Sequence, residues 1–151
     1  MQGSIKHEKS TNNFKGSIGH NLFIFRILQV YCPNFEPEGR VDLTAGQKTV
    51  AVFNLDCEHC QEAAKELGAL SRNNKKFPKL YLLFYQEGST TVSEFENLTQ
   101  SSFPYAFIDV NMFFDLIGNA PPRIYHLKEG KVESVWDENF VLNFQEAFEL
   151  K

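Results

Sequence analysis

Two cysteines at a junction between a strand pattern and a helix pattern constrain this chain more than any other feature. Residues 49–55 form a β-branched, mostly apolar run without charge, which is typical of a strand covered on both faces. The tetrad Cys57-Glu58-His59-Cys60 follows almost at once, and behind it apolar residues recur at helical spacing. These apolar positions are Cys60, Ala63, Ala64, Leu67 and Leu70. We therefore expect an amphipathic helix whose first turn holds both thiols.

The spacing of the two cysteines suits redox chemistry. In the first turn of a helix, residues i and i+3 share a face, so the sulfur atoms of Cys57 and Cys60 can reach disulfide distance with little backbone movement. The free N–H groups at the helix N-terminus favour a negative charge, which indicates that Cys57 is the thiolate and the nucleophile. Cys60 lies one turn further along the apolar face, where it suits the resolution of a mixed disulfide by internal attack.

The remaining periodic segments predict a small α/β sheet covered by helices, with crossover units first and an antiparallel pair last. Strands are expected at residues 22–31, 79–85 and 105–110, with a short strand or turn at 39–43. Helices are expected at residues 90–99 and 111–117 and through Phe140, Val141, Phe144 and Phe148. Residues 123–127 and 132–136 predict a hairpin around Lys128-Glu129-Gly130-Lys131.

Length and composition fit one ordinary globular domain. Of the 151 residues, 42% are hydrophobic and 23% are charged. The formal net charge of −4 leaves no basic excess for phosphates, so we expect no nucleic-acid partner. Residues 1–20 are polar and aperiodic, which predicts a flexible arm before a single domain at 21–151, and they lack the pattern of a secretory signal. The longest apolar stretch, residues 22–32, is interrupted and shorter than about 20 residues, so no membrane-spanning segment is expected.

A later proline extends the pattern of the cysteine tetrad. Residues 33–151 resemble the thiol-disulfide oxidoreductases of bacterial cell envelopes with a thioredoxin fold, the TlpA and ResA group: a Cys-x-x-Cys opens a helix after an apolar strand, and a proline precedes a hairpin and a terminal helix. The resemblance implies a three-layer α/β sandwich with a central mixed β-sheet flanked by helices. It also implies a cis-proline that faces the cysteines and holds the substrate backbone. Counted back from Gly130, the counterpart is Pro122, preceded by Pro121.

The resemblance further implies an enzyme that exchanges disulfides with protein substrates and with a redox partner protein. Cys57 and Cys60 would be catalytic, and Pro122 with Pro121 would bind the substrate. No dissociable cofactor or metal would be needed, because the cysteine pair carries both electrons. The direction of electron flow stays open. An extracytoplasmic or periplasmic location follows from the resemblance alone, and the sequence leaves a cytoplasmic location open.

Three residues around the thiols are expected to tune Cys57. His59 resembles the histidine of disulfide isomerase motifs, where an imidazolium favours the thiolate, whereas the carboxylates of Asp56 and Glu58 disfavour it. One charge about 7 Å away in water contributes on the order of 0.6 kcal/mol, and a helix terminus about 0.3 to 2 kcal/mol. The effects of the two acids on the acidity of Cys57 thus offset the effect of the histidine, and the effect of the helix dipole remains. We predict that Cys57 is activated but less acidic than in strong oxidants.

The chain also departs from the pattern of this group. Leu55 and Asp56 stand where a tryptophan is common, so the surface that faces the substrate must differ. Ala51 replaces the buried acid of thioredoxins, and Ala63 stands where some envelope members carry a catalytic glutamate. Proton transfer to Cys60 therefore lacks its usual base.

Other interpretations stay open. A structural zinc site would need a second cysteine pair, which the sequence lacks. A copper-binding, metallochaperone-like protein on the same fold would hold Cu(I) through both thiolates, with His59 or Cys32 assisting. A redox-inactive interaction module with a thioredoxin-like fold is the third alternative. Cys32 is otherwise an incidental free thiol, and the remaining titratable candidates are interpreted as structural: His7, His20 and His126 as surface or satisfied histidines, and Glu133, Asp137 and Glu138 as a solvated face.

Overall fold

The structure, a computed structural model, describes residues 34–151. Strands and helices alternate along this part of the chain. The strands are β1 (Asn34–Phe35), β2 (Gly39–Arg40), β3 (Gln47–Asn54), β4 (Leu80–Tyr85), β5 (Tyr105–Phe107), β6 (Arg123–Lys128) and β7 (Lys131–Trp136). The helices are α1 (Glu58–Asn73), α2 (Val92–Thr99), α3 (Val110–Ile117) and α4 (Phe140–Phe148).

A five-stranded mixed sheet with the order β5-β4-β3-β6-β7 forms the centre. β3 pairs in parallel with β4 and antiparallel with β6, so that Ala51 lies opposite Leu82 on one side and Ile124 on the other. β5 continues the parallel half, and β7 closes the antiparallel half. This arrangement confirms the expected mixed sheet, because the crossover units lie in one half and the hairpin in the other.

Two hydrophobic cores cover the two faces of the sheet and make a three-layer sandwich. Alternate residues of β3 point to opposite faces, so Val50 and Val52 pack in one core while Ala51 and Phe53 pack in the other. The first core includes residues of α3 and Phe35 of β1. The second core includes residues of α1, α2 and α4. The predicted α/β fold class is thereby confirmed.

The helix starts follow the local sequence. The apolar face of α1 is buried at each position that the periodicity predicts. Thr91 caps α2, with its side chain accepting the Glu94 N–H in a capping box. Asp109 caps α3, with its side chain accepting the Met112 N–H. The strand predicted at residues 105–110 therefore ends earlier, at Phe107, because the chain already enters α3 after Asp109.

The hairpin between β6 and β7 turns as its sequence indicates. Glu129 and Gly130 both have positive φ, at 49° and 72°, as a two-residue turn that matches strand twist requires. The predicted arm at residues 1–20 and the predicted strand at 22–31 lie outside the described residues. None of the helices within residues 34–151 combines the length and the apolar composition that a membrane-spanning helix requires.

Candidate active site

The two cysteines flank the start of α1. β3 ends at Asn54, whose carbonyl accepts the Cys57 N–H at 3.1 Å and closes a tight turn before the helix. Cys57 is the N-cap residue, and its carbonyl accepts the Gln61 N–H at 3.0 Å. Both thiols are free; Cys57 is half-buried and Cys60 is fully buried. The structure therefore places two thiols one helical turn apart, with the first more accessible to a partner than the second.

The thiol of Cys57 is acidic, with a pKa lowered to about 6. The largest cause is a hydrogen bond with the Cys60 thiol; the backbone N–H groups of Cys60 and His59 and the charge of the His59 imidazole add to it, while partial burial opposes it. The helix terminus acts through its free N–H groups, as expected, but the neighbouring thiol has the larger effect. A pKa near 6 agrees with the intermediate acidity that the sequence predicts.

The thiol of Cys60 keeps its proton. Burial raises the pKa of Cys60 far above its ordinary range, and the neighbouring Cys57 raises it further. The Asn54 N–H, which donates to the Cys60 sulfur at 3.5 Å, acts in the opposite direction. The two sulfur atoms thus differ in chemistry: one is a thiolate near neutral pH, and the other is a protonated thiol held against it.

Asp56 ties the turn before Cys57 to the loop after β4. Its carboxylate accepts hydrogen bonds from the Gly88 N–H at 2.8 Å, the Thr90 N–H at 3.2 Å and the Thr90 hydroxyl at 2.7 Å. These bonds lower the pKa of Asp56. Asn54 adds a second tie, because its amide donates to Glu87 at 3.1 Å and its side-chain oxygen accepts the Asp56 N–H at 3.0 Å. The sequence analysis does not predict these hydrogen bonds, because their partners are more than 30 residues apart.

His59 and Glu58 occupy the exposed first turn of α1. The His59 ring is 81% exposed, and its Nδ1 lies 3.9 Å from a carboxylate oxygen of Glu62. Its charge is one of the causes that lower the pKa of Cys57. The influence of Glu58 and Asp56 on Cys57 stays a prediction, and the Asp56 carboxylate is engaged by the loop contacts.

The proline pair lies directly before β6. The Pro121–Pro122 peptide bond is cis, and Pro122 is buried. Both prolines line a groove of about 1030 Å³ between α1 and α4, which His59 also lines. The structure therefore brings the proline pair and His59 of the tetrad to one groove, which neither cysteine lines. Binding of substrate by Pro122 and Pro121 stays a prediction.

An ion pair that was not anticipated stands beside the proline pair. Arg123, 7% exposed, donates from Nε to Asp137 Oδ1 at 2.7 Å and from Nη2 to Oδ2 at 3.0 Å. Asp137 therefore does not belong to a merely solvated face. The hairpin sequence does not predict this ion pair, because an irregularity between His126 and Leu127 shifts the register before Ile124 pairs with Trp136.

The other candidates fall into two groups. Cys32, His7 and His20 lie outside the described residues. His126 is buried, its ring packs against Trp136 and Phe148, and its Nε2 lies 2.7 Å from the Gln47 amide nitrogen, so it is a satisfied histidine. Among residues 34–151, no group of three or more His, Cys, Asp or Glu side chains is arranged to hold a metal ion.

Comparison with known sequences finds one informative relative. The chain is 33% identical to protein TlpB of Flavobacterium psychrophilum over 76 residues, which are 50% of this chain and 21% of that protein. The match thus spans about one fifth of the length of that relative. No protein-family model matches the chain.

Solved structures show the same architecture at low identity. A thiol:disulfide interchange protein from Bacteroides sp. has a TM-score of 0.58 at 12% identity, covering 78% of this chain and 86% of that one. The thioredoxin domain of a Bacteroides vulgatus thiol-disulfide oxidoreductase has a TM-score of 0.60 at 14% identity, covering 77% and 90%. A secreted Mycobacterium tuberculosis disulfide oxidoreductase has a TM-score of 0.58 at 10% identity, covering 81% and 98%. The chain therefore has a thioredoxin fold, and half of it is similar in sequence to protein TlpB of Flavobacterium psychrophilum.

Proposed function

We propose that this chain is a thiol-disulfide oxidoreductase domain that exchanges disulfides with protein substrates. The observation that carries the proposal is the asymmetry of the cysteine pair: the half-buried Cys57 has a pKa near 6, and the buried Cys60 stays protonated beside it. A structural pair of buried thiols has no need for this difference, whereas a nucleophile and a resolving thiol do.

The exchange proceeds in two steps. The Cys57 thiolate attacks one sulfur of a substrate disulfide, a Cys57–substrate bond forms, and the other substrate sulfur leaves as a thiolate that takes up a proton. Cys60 then releases its proton to the solvent and attacks the Cys57 sulfur; the Cys57–Cys60 disulfide forms, the bond from Cys57 to the substrate breaks, and the second substrate sulfur leaves as a thiolate. The pair has given two electrons to the substrate, and the reverse sequence oxidises a substrate dithiol.

The surroundings of the pair fit these steps. The Asn54 N–H stabilises the resolving sulfur as it loses its proton, in place of the absent acid. Pro122 and Pro121 hold an extended substrate segment, and His59 favours the attacking thiolate. No dissociable cofactor takes part. A redox partner protein resets the pair, and the secreted Mycobacterium tuberculosis neighbour supports an extracytoplasmic location.

Trapping of the mixed disulfide tests the proposal. A Cys32→Ser background removes the third thiol, so that adducts report on Cys57 and Cys60 alone. With a disulfide-bonded protein substrate, Cys60→Ser should accumulate a covalent complex through Cys57, while Cys57→Ser should form none. The background protein should reduce the substrate and end with its own disulfide. A background protein that leaves the substrate unchanged, with no adduct in Cys60→Ser, would instead favour a redox-inactive module.

A further inference from the structure

The groove beside the tetrad is concave, and part of its lining is apolar. It lies between α1 and α4, and residues 119–123 also line it. Leu70 and Phe140 line it as buried side chains, whereas Leu142 is 54% exposed. The groove starts at His59 of the tetrad, and Leu142 gives it an apolar surface that a side chain of a bound segment would cover.

The charges that line the groove are unbalanced. Glu62 and Glu66 stand four residues apart on α1, and Glu138 lies just before α4. Arg123 does not compensate these acids, because its charge is paired with Asp137, to which its Nε and Nη2 donate.

The acids have little compensation within the chain. Glu62 and Glu66 repel each other at helical spacing. Glu62 is 3.9 Å from His59, but no ion pair among residues 34–151 involves Glu66 or Glu138. A cationic group placed in the groove would relieve this repulsion. The charges of the groove therefore favour a cationic partner, in addition to the apolar partner that its lining favours.

We infer that the groove selects substrate segments that carry lysine or arginine together with apolar residues beside their cysteine. The inference rests on the proposed function and deepens it, since the occupant is the extended substrate segment whose sulfur reaches Cys57. The apolar side chains of that segment cover Leu142, and its cations face Glu66 and Glu138. Complementary charge speeds encounter and rejects acidic segments.

Matched peptides test the inference. Each carries one cysteine as a mixed disulfide with a coloured aromatic thiol, flanked by lysines, glutamines or glutamates in an otherwise identical sequence. Rates are normalised to the rate of each peptide with dithiothreitol, which removes intrinsic differences in reactivity. At low ionic strength the lysine peptide should react about tenfold faster than the glutamate peptide, and salt should reduce the ratio.

Charge-reversal variants locate the effect. Glu66→Lys and Glu138→Lys should each lower the lysine-to-glutamate ratio about two- to fivefold. Glu146→Lys is the matched control, because Glu146 lies on α4 but does not line the groove. Equal rates for the three peptides, or an equal effect of Glu146→Lys, would overturn the inference. So would a dimer of this chain that dissociates in Glu66→Lys. Failure of all three peptides to react would instead count against the proposed function.

Discussion

At the scale of single residues, the sulfur atoms of Cys57 and Cys60 carry opposite pKa shifts that depend on each other. Hydrogen bonding with the Cys60 thiol is the largest cause that lowers the pKa of Cys57, and the same contact raises the pKa of Cys60. One proton shared between two sulfur atoms therefore accounts for much of the activation. The acidity of Cys57 should change when Cys60 is replaced, even though the helix terminus remains.

The rate of alkylation at Cys57 against pH tests this coupling. In the Cys32→Ser protein the midpoint should lie near pH 6, the pKa of Cys57. In Cys60→Ala it should move upward by about one unit or more, toward the value of about 8.5 for a free thiol, because the main donor is lost. His59→Ala is the comparison, with a smaller upward shift, since the imidazole charge is the last of the causes. Equal midpoints with and without Cys60 would contradict the coupling.

The same shift links pH to stability. Because the folded pKa of Cys57 lies below that of the unfolded chain, its contribution to the stability of the reduced form is fully present above the unfolded value. The contribution is lost as the pH falls through about 6. Because the Cys57 thiol is half-exposed, solvent screening reduces this contribution to stability. Below about pH 8, Cys60 is protonated in both states and adds no opposing slope, whereas above the unfolded value its raised pKa opposes folding.

At the scale of elements, the loop that carries the proline pair is held at both ends. α3 ends at Gly118, with φ of 65°, and a Cβ there would lie 2.6 Å from the Arg123 guanidinium. That guanidinium is held by Asp137, so it cannot move aside easily. The hydroxyl of Tyr125 also donates to the Leu116 carbonyl near the end of α3. These contacts join α3, the proline loop and the hairpin into one support for the groove.

A double-mutant cycle at Gly118 and Arg123 tests this support. Gly118→Ala should destabilise the protein by about 2 to 4 kcal/mol, from backbone strain of roughly 1 to 3 kcal/mol at φ of 65° and ψ of −111° plus the contact with Arg123. In an Arg123→Ala background the additional cost should fall to the backbone part alone. Gly39→Ala is the matched control, because Gly39 has φ of 87° but a Cβ there meets nothing closer than 3.8 Å. Urea unfolding measures all the variants, and strictly additive costs at Gly118 and Arg123 would show that the two do not press on each other.

At the scale of the whole molecule, periodicity along the chain was enough to predict most of the architecture. Helical spacing behind the tetrad predicted the buried face of α1, and the turn residues around Gly130 predicted the hairpin. The predicted strand at 105–110 was longer than β5, because an apolar run does not show where a helix cap such as Asp109 begins the next helix.

The site was predictable where it depends on local spacing and not where it depends on contacts between distant segments. Cys57 and Cys60 belong to one turn, so their proximity followed from helix geometry. The hydrogen bond between Asp56 and Thr90 joins two segments that come together only when β3 and β4 pair. The groove acids likewise come from α1 and from the start of α4, and their shared cavity appears only in the folded sheet.

A redox titration of the Cys32→Ser protein in glutathione buffers tests the central claim most directly, with the alkylated species counted by mass. The account predicts that Cys57 and Cys60 lose their reactivity toward the alkylating agent together, and that the oxidised protein is a monomer with one internal disulfide. It also predicts a potential between those of thioredoxin and DsbA, roughly −270 to −120 mV. Independent titration of the two thiols, or a glutathione adduct on Cys57 that Cys60 does not displace, would contradict it.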